Sequence, residues 1–410
     1  MSILGSIFKQ TTFQIIGKVV TSISTFIVLG FVARNYHEAG TGIFTLSLTY
    51  LNIFNLLGDF GFNAHILKQV TEDKALVTSE WNKLLGARIL WSVVLTILAV
   101  ALLPFWPFSS IDFTNAIILG SVAILGSSIY ITCNLIFQSK LRYDLSVFAS
   151  SAGTLIGLFF YVWFSTRNFP IYFLLVAQSI GWISIAFLSL LFVKKFLSNI
   201  LPIFDLKYIS TLFKDSWAIA ATLALNVVYF RVDSFLLAYF KGISEVGIYN
   251  VAYSVFQSSL VLPAFIMNAY YPLMLKSLAK VKLVGISLLV LASVGTVVTF
   301  FAAPLLIDIL TGGNFGGSVS TLRILSLSLP AFFISALLMW YLVTKGKYKQ
   351  MLIIYLFGLL VNIALNLFLI PKYSFFGAAW VTVFSEYFIL ILQIMILLFE
   401  RSENYKETSR

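Results

Sequence analysis

The stretch Phe13–Arg34, FQIIGKVVTSISTFIVLGFVAR, decides the fold. Lys18 is its only charge before Arg34. As an α-helix it would run about 33 Å, the thickness of a bilayer's hydrocarbon core. No signal-peptide cleavage pattern accompanies it, so it is expected to stay as a first membrane span. Comparable apolar runs recur to the end of the 410 residues.

The composition agrees: 60% of residues are apolar, 10% are charged, and the mean hydropathy is +0.97. Soluble domains average about 45–50% apolar and about 25% charged, so the chain reads as a polytopic all-α integral membrane protein. Spans are expected near 12–34, 42–65, 84–104, 113–138, 144–165, 170–193, 216–239, 246–272, 281–303, 320–343, 349–370 and 375–399. Pro263 and Pro330 should interrupt two of them, which a bundle tolerates because neighbouring helices re-satisfy the freed backbone groups.

The net charge of +11 is spread as short basic clusters between apolar runs, so no nucleic-acid surface is expected. Lys68, Lys74, Lys83, Lys140, Arg142, Lys194, Lys195, Lys276, Lys280, Lys345 and Lys347 fall on one side of the twelve-span reading. The other side carries about one cation per loop, among them Arg34, Arg167 and Lys372. The positive-inside rule then puts both termini on the cytoplasmic side. A basic linker divides the chain into an N-terminal lobe (1–200), a linker (201–215) and a C-terminal lobe (216–410). Its LKYISTLFKDSW segment has an amphipathic face suited to an interfacial helix.

The halves match at a constant offset of 205 residues. GIFTLSLTY (42–50) falls on GIYNVAYSV (247–255), KLRY (140–143) on KGKY (345–348), and Gly153 on Gly358. Six spans per repeat give both halves one orientation, related by an axis along the membrane normal; such an architecture is that of carriers working by alternating access, the alternative being a duplicated structural scaffold.

Charges inside the spans are the candidate functional groups, because each is costly in a bilayer. Lys18 either snorkels to the headgroups or faces a polar site. Asp59 has too short a stem to snorkel and calls for a partner, with Lys18 one candidate. Arg231 and Asp233, two apart on a helix, point in different directions and cannot neutralise each other. Arg88 and Arg34 read as snorkelling or anchoring cations near helix ends, Glu386 as an ion site or protonated carboxyl, and His65 as interfacial. The repeat does not duplicate these charges: Arg231 falls on Phe26, Asp233 on Val28, Asp59 on Ala264 and Lys18 on Leu223. That asymmetry suits one polarised substrate.

Several chemistries lack their signatures. The chain has no phosphate-binding G-x-x-x-x-G-K-[ST] loop, no metal-ligand spacing and no Asp-x-Asp pair. With its single Cys133 it can form no internal disulfide. No enzyme, cofactor or metal centre is expected.

Three stretches resemble the Wzx-type polysaccharide (O-antigen) flippases: FVARNYHEAGTGIFTLSLTYLNIFNLLGDFGFNAHILKQV, FRVDSFLLAYFKGISEVGIYNVAYSVFQSSLVLPAFIMNAYYPLM and LLVNIALNLFLIPKYSFFGAAWVTVFSEYF. The resemblance implies the multidrug/oligosaccharidyl-lipid/polysaccharide exporter superfamily, a MATE-like, V-shaped pair of six-helix lobes around a central cavity. It implies a flippase of undecaprenyl-pyrophosphate-linked oligosaccharide in the bacterial inner membrane, H+ or Na+ coupled, working beside a polymerase and chain-length partners. Family members commonly have fourteen helices, against about twelve here. Carried onto this chain, Arg231, Lys18, Arg34 and Arg88 would meet the pyrophosphate and Tyr229, Tyr253 and Tyr270 the sugars. Asp59, Asp233 and Glu386 would bind the coupling ion or support the cations. The alternative within the superfamily is a cation-coupled drug antiporter, which would favour an acidic cavity.

Overall fold

The computed structural model describes residues 3–63, 66, 76–106, 110–140 and 142–408. His65, Lys68, Lys74 and Arg410 lie outside them. Among the described residues the chain is helical with short connections and has no strand. The helix Ile3–Asp59 contains one non-helical residue, His37, with φ 56° and ψ −164°. Its apolar part, Phe13–Asp59, would be about 70 Å long if straight, twice a bilayer, so the break at His37 makes two spans. The same holds for Tyr348–Thr408, broken at Ser374 (φ 52°), three residues after Pro371.

Divided there, the described residues form twelve long helical elements. They are α1 (3–36), α2 (38–59), α3 (Leu76–Ala101), α4 (Ile111–Ser139, interrupted at Ser121), α5 (Tyr143–Thr166) and α6 (Phe173–Val193). The series continues with α7 (Leu206–Lys241), α8 (Ile243–Ser259 and Val261–Met274), α9 (Val281–Thr311), α10 (Gly316–Ser326 and Leu329–Thr344), α11 (348–373) and α12 (375–408). Among the described residues a helical element lies at each of the twelve expected spans. The breaks near Pro263 and Pro330 are too, the second as a 43° bend within α10. Each proline lacks the N–H that would continue the ladder.

Two departures from expectation have local causes. The helix of span two stops at Asp59, because Phe60 and Gly61 both take positive φ. The linker segment is no separate interfacial helix; it is the start of α7, which begins ten residues early because that segment is packed rather than lying on a surface.

The repeat is visible in the backbone. His37, between α1 and α2, and Gly242, between α7 and α8 (φ 98°, ψ 173°), sit at the offset of 205 and share an extended, positive-φ conformation. Glycine takes it without the penalty a Cβ brings at His37. The α5–α6 corner turns at Asn168 (φ 55°), one residue out of register with Ser374 between α11 and α12. The paired glycines do the same work. A Cβ on Gly153 would lie 2.3 Å from Ile185 on α6, and one on Gly358 would lie 2.7 Å from Ile389 on α12.

The chain divides into two compact units, residues 1–231 and 232–410, with the boundary inside α7. In the first, α5 and α6 pack closely and the α1–α2 break is tied to their corner. Tyr36 donates to the Phe169 carbonyl (2.7 Å) and Asn35 to Ser165 (2.7 Å). In the second, Ser318 of α10 donates to the Ile248 carbonyl of α8 (2.6 Å) and Thr296 of α9 to the Ser326 carbonyl (3.0 Å). Outer surfaces are apolar: α9 alone exposes Val290, Val294, Val297, Val298, Phe301 and Leu305. Such a surface suits lipid and would be an aggregation liability in water.

The start of α7 is held tightly to the first unit. The Ile203 amide donates to the Asn82 carbonyl (2.9 Å), and a Cβ on Gly86 of α3 would fall 2.1 Å from the Ile203 oxygen. Gly86→Val should therefore detach the linker. Overpacking of this kind costs about 1–3 kcal/mol, and trypsin should cut at Lys207 faster in the variant than in the parent. Equal cleavage rates would contradict this packing.

Candidate functional site

The first unit places Asn55 and Asp59, four residues apart, on one face of α2, and Asn63 just beyond the turn at Phe60 and Gly61 that ends it. Ser127 of α4 donates to Asn55 (2.9 Å), and Asn63 donates to the Ile131 carbonyl of α4 (2.8 Å). Between them Arg88 of α3 is fully buried. Its Nη2 donates to Asp59 Oδ1 (2.9 Å) and to Asn63 Oδ1 (2.9 Å), while Nε and Nη1 have no hydrogen-bond partner. The guanidinium lies 5.5 Å from the centre of the Phe62 ring, a cation–π contact.

Two expectations are corrected here. Arg88 does not snorkel: it is buried because its charge is matched inside the bundle, where α2 ends beside it. Asp59 pairs with Arg88 rather than Lys18, whose side chain is exposed on α1.

An aromatic box closes over this pair. Phe213, on the first turns of α7, has its ring centre 4.7 Å from Phe60, 5.2 Å from Phe62 and 4.8 Å from Trp91. Tyr208, one turn earlier and ahead of the membrane-spanning part of α7, lies under the Lys83 ammonium at 5.6 Å. Burial, then the nearby Glu80 carboxylate, pushes its phenol above the ordinary value. The α7 helix that carries Arg231 is thus anchored on the aromatic wall around Arg88 and Asp59.

The second unit holds the other buried carboxylates. Asp233 is buried and accepts from the Tyr249 hydroxyl of α8 and from the Ser234 amide (2.7 Å). Tyr249 reaches Thr382 of α12 (3.4 Å), and Ser234 donates to Asn250 (3.0 Å). On α11, Asn366 donates to Asn362 (2.9 Å), which donates to Ser385 of α12 (3.1 Å). Glu386 is buried beside Ser385. One face of α12 therefore carries Thr382, Ser385, Glu386 and Gln393, all buried. Ser374, at the α11–α12 break, donates to Glu245.

The remaining candidates are dispersed. Arg231 and Tyr229 are half-exposed on α7 and Arg34 is exposed at the end of α1. Tyr253 is buried and stacked on Tyr249 at 5.6 Å, so its ring is core rather than a free sugar platform. Tyr270 is buried, and its hydroxyl lacks a hydrogen-bond partner. Asn63, Tyr249, Asn362 and Thr382 were not singled out from sequence. The four-residue spacing on α2 and the Asn362/Asn366 pair were the available signals. Among the described residues no three His, Cys, Asp or Glu side chains converge as for a metal ion.

Comparison with known proteins extends over nearly the whole chain. The family model described as polysaccharide biosynthesis protein matches residues 7–278. A Shigella dysenteriae protein assigned as an O-antigen transporter is 24% identical over 356 residues, covering 85% of this chain and 87% of that one. Among solved structures, the lipid II flippase MurJ in an inward closed conformation superposes with a TM-score of 0.78 at 14% identity, covering 94% of this chain and 87% of MurJ. An inward-facing multidrug-resistance MATE transporter of the MOP superfamily gives 0.70 at 14% identity, covering 95% and 96%. Those two show a shared fold. Its duplicated helices and the match over most of its length together place the chain in the polysaccharide biosynthesis protein family.

Proposed function

We propose that the protein is a flippase that carries a lipid-linked oligosaccharide from the cytoplasmic to the outer leaflet, with an undecaprenyl pyrophosphate as the lipid and linker. The observation that carries this reading is the similarity to an O-antigen transporter along most of both chains. The chain's own residues fit such a substrate. A pyrophosphate entering low dielectric needs cations, and the half-exposed Arg231 lies about 15 Å, ten residues, from the Lys241 end of α7. Lys18 and Arg34, both exposed, would meet the anion toward the two ends of α1. Tyr229 would stack on a sugar ring.

Work against a concentration gradient needs a driving ion. H+ or Na+ binding at Asp233 or Glu386 would supply it, with the Asp59–Arg88 pair in support. The basic loops put both termini on the cytoplasmic side of a bacterial inner membrane. A polymerase and chain-length partners would use the exported units, and no covalent chemistry is assigned to this chain. In cells deleted for the protein, radiolabelled lipid-linked glycan should accumulate on the cytoplasmic leaflet. An unchanged leaflet distribution would overturn the reading.

A further inference from the structure

We infer that α9 and α10 share a hinge, in which Arg323 and Thr296 hold the backbone carbonyls that two prolines release. Its purpose, a change of shape during transport, rests on the proposed function, while the hinge itself follows from contacts inside the second unit. Pro304 lies within α9, and Pro330 opens the second part of α10. A proline has no N–H for the carbonyl four residues before it, so these two free the carbonyls of Phe300 and Ser326. Those are the carbonyls that the neighbouring helix reaches. Arg323 Nε of α10 donates to the Phe300 oxygen (3.1 Å), and Thr296 Oγ1 of α9 donates to the Ser326 oxygen (3.0 Å). Each helix thus repairs the break in the other. Thr296 and Phe300 are one turn apart on α9, as Ser326 and Arg323 are on α10, so both contacts form on one seam. The partly buried guanidinium also lies 5.2 Å from the centre of the Phe300 ring. Within the broken turn, the Ser326 and Ser328 hydroxyls donate to the carbonyls of Arg323 (2.7 Å) and Leu325 (2.6 Å).

The first unit has the equivalent break without the prolines. By the offset of 205, Ser326 corresponds to Ser121, where α4 is interrupted. Thr96 of α3 donates to the Ser121 carbonyl (3.4 Å), so that break is stitched to its neighbour as well. Pro304, Pro330 and Arg323, however, correspond to Ala99, Leu125 and Ile118. There Ile111–Ser139 runs as one span, whereas α10 bends by 43°. The stitched break is therefore duplicated, and the prolines and the arginine are added in the second unit alone. Side-chain donors turn on rotatable bonds and can follow a carbonyl as the bend changes, which a backbone N–H within a helical ladder cannot. Arg323 and Thr296 keep both carbonyls paired at more than one angle, as a hinge in lipid requires.

Two measurements on the purified full-length protein test this. In thermal unfolding in detergent, Arg323→Met and Thr296→Val should each lower the unfolding temperature. Adding Pro304→Ala to the first and Pro330→Ala to the second should restore most of the loss, because the new N–H pairs the carbonyl within its own helix. If a single variant fails to fold, recovery of folded protein in its double variant carries the test. Losses that neither alanine relieves would overturn the stitch. The second measurement is the distance between spin labels on Ser320→Cys and Lys345→Cys, both exposed, on either side of the bend and about 35 Å apart. Cys133 is buried and stays unlabelled. In lipid nanodiscs the parent should give a broader distance distribution than the Pro304→Ala/Pro330→Ala variant. A parent distribution no broader than the variant's would mean a rigid kink and overturn the hinge. No glycan enters either readout, so a failed hinge leaves the transport reading standing, and failed transport leaves the hinge standing.

Discussion

Asp59→Ala is expected to remove most of the folded protein. Arg88 would be left fully buried with one of its two side-chain hydrogen-bond acceptors gone and its charge unmatched. Breaking a buried pair from one side costs about 3–5 kcal/mol, a large part of what holds a domain together. Arg88→Met should be milder, because Asp59 is partly exposed and can rehydrate. The double variant Asp59→Leu/Arg88→Met should recover much of the loss, since replacing both partners with apolar groups is often neutral. Thermal unfolding in detergent, read by size-exclusion chromatography, checks all three. Equal stability of parent and Asp59→Ala would mean that the pair does not hold α2 to α3.

Arg231→Gln is the second expected large effect, and it should act on transport rather than on folding. The side chain is half-exposed within a membrane helix, away from the Arg88 cluster that anchors the same helix. A charge-assisted hydrogen bond contributes about 1.5–3 kcal/mol, so glycan export should fall about tenfold to a hundredfold. The amount and elution of the protein should stay as in the parent. Arg231→Lys should restore part of the rate, because it keeps the charge but loses the two-pronged geometry. Unchanged export in Arg231→Gln would remove this residue from the substrate's path.

The fold was legible because a bilayer imposes a length on every helix that crosses it. Phe13–Arg34 and its eleven counterparts are long apolar runs, and a helix stands at each of them, several extending well past the expected ends. The repeat was legible because its shared residues do the same work twice: His37 and Gly242 turn the chain, while Gly153 and Gly358 each admit an isoleucine of the following helix. The Arg88–Asp59 pair was not legible. Its members lie on different helices 29 residues apart, and burial in a partnered site looks in sequence like a cation near a helix end. The start of α7 was misread for a related reason. Phe213 and Leu212 give the segment an apolar face, which equally suits a membrane surface and a protein one. Only the aromatic box of Phe60, Phe62 and Trp91 shows which it meets.

The central claim, movement of a lipid-linked glycan by this chain alone, is met most directly in proteoliposomes. Purified protein would be reconstituted with a radiolabelled polyprenyl-pyrophosphate oligosaccharide on one leaflet under an imposed proton or sodium gradient. Appearance of the label on the opposite leaflet is then read by an enzyme confined to that side. The account predicts transfer by the parent protein and a strong reduction in Arg231→Gln. Transfer no faster than in protein-free vesicles, from protein shown to be folded, would contradict it.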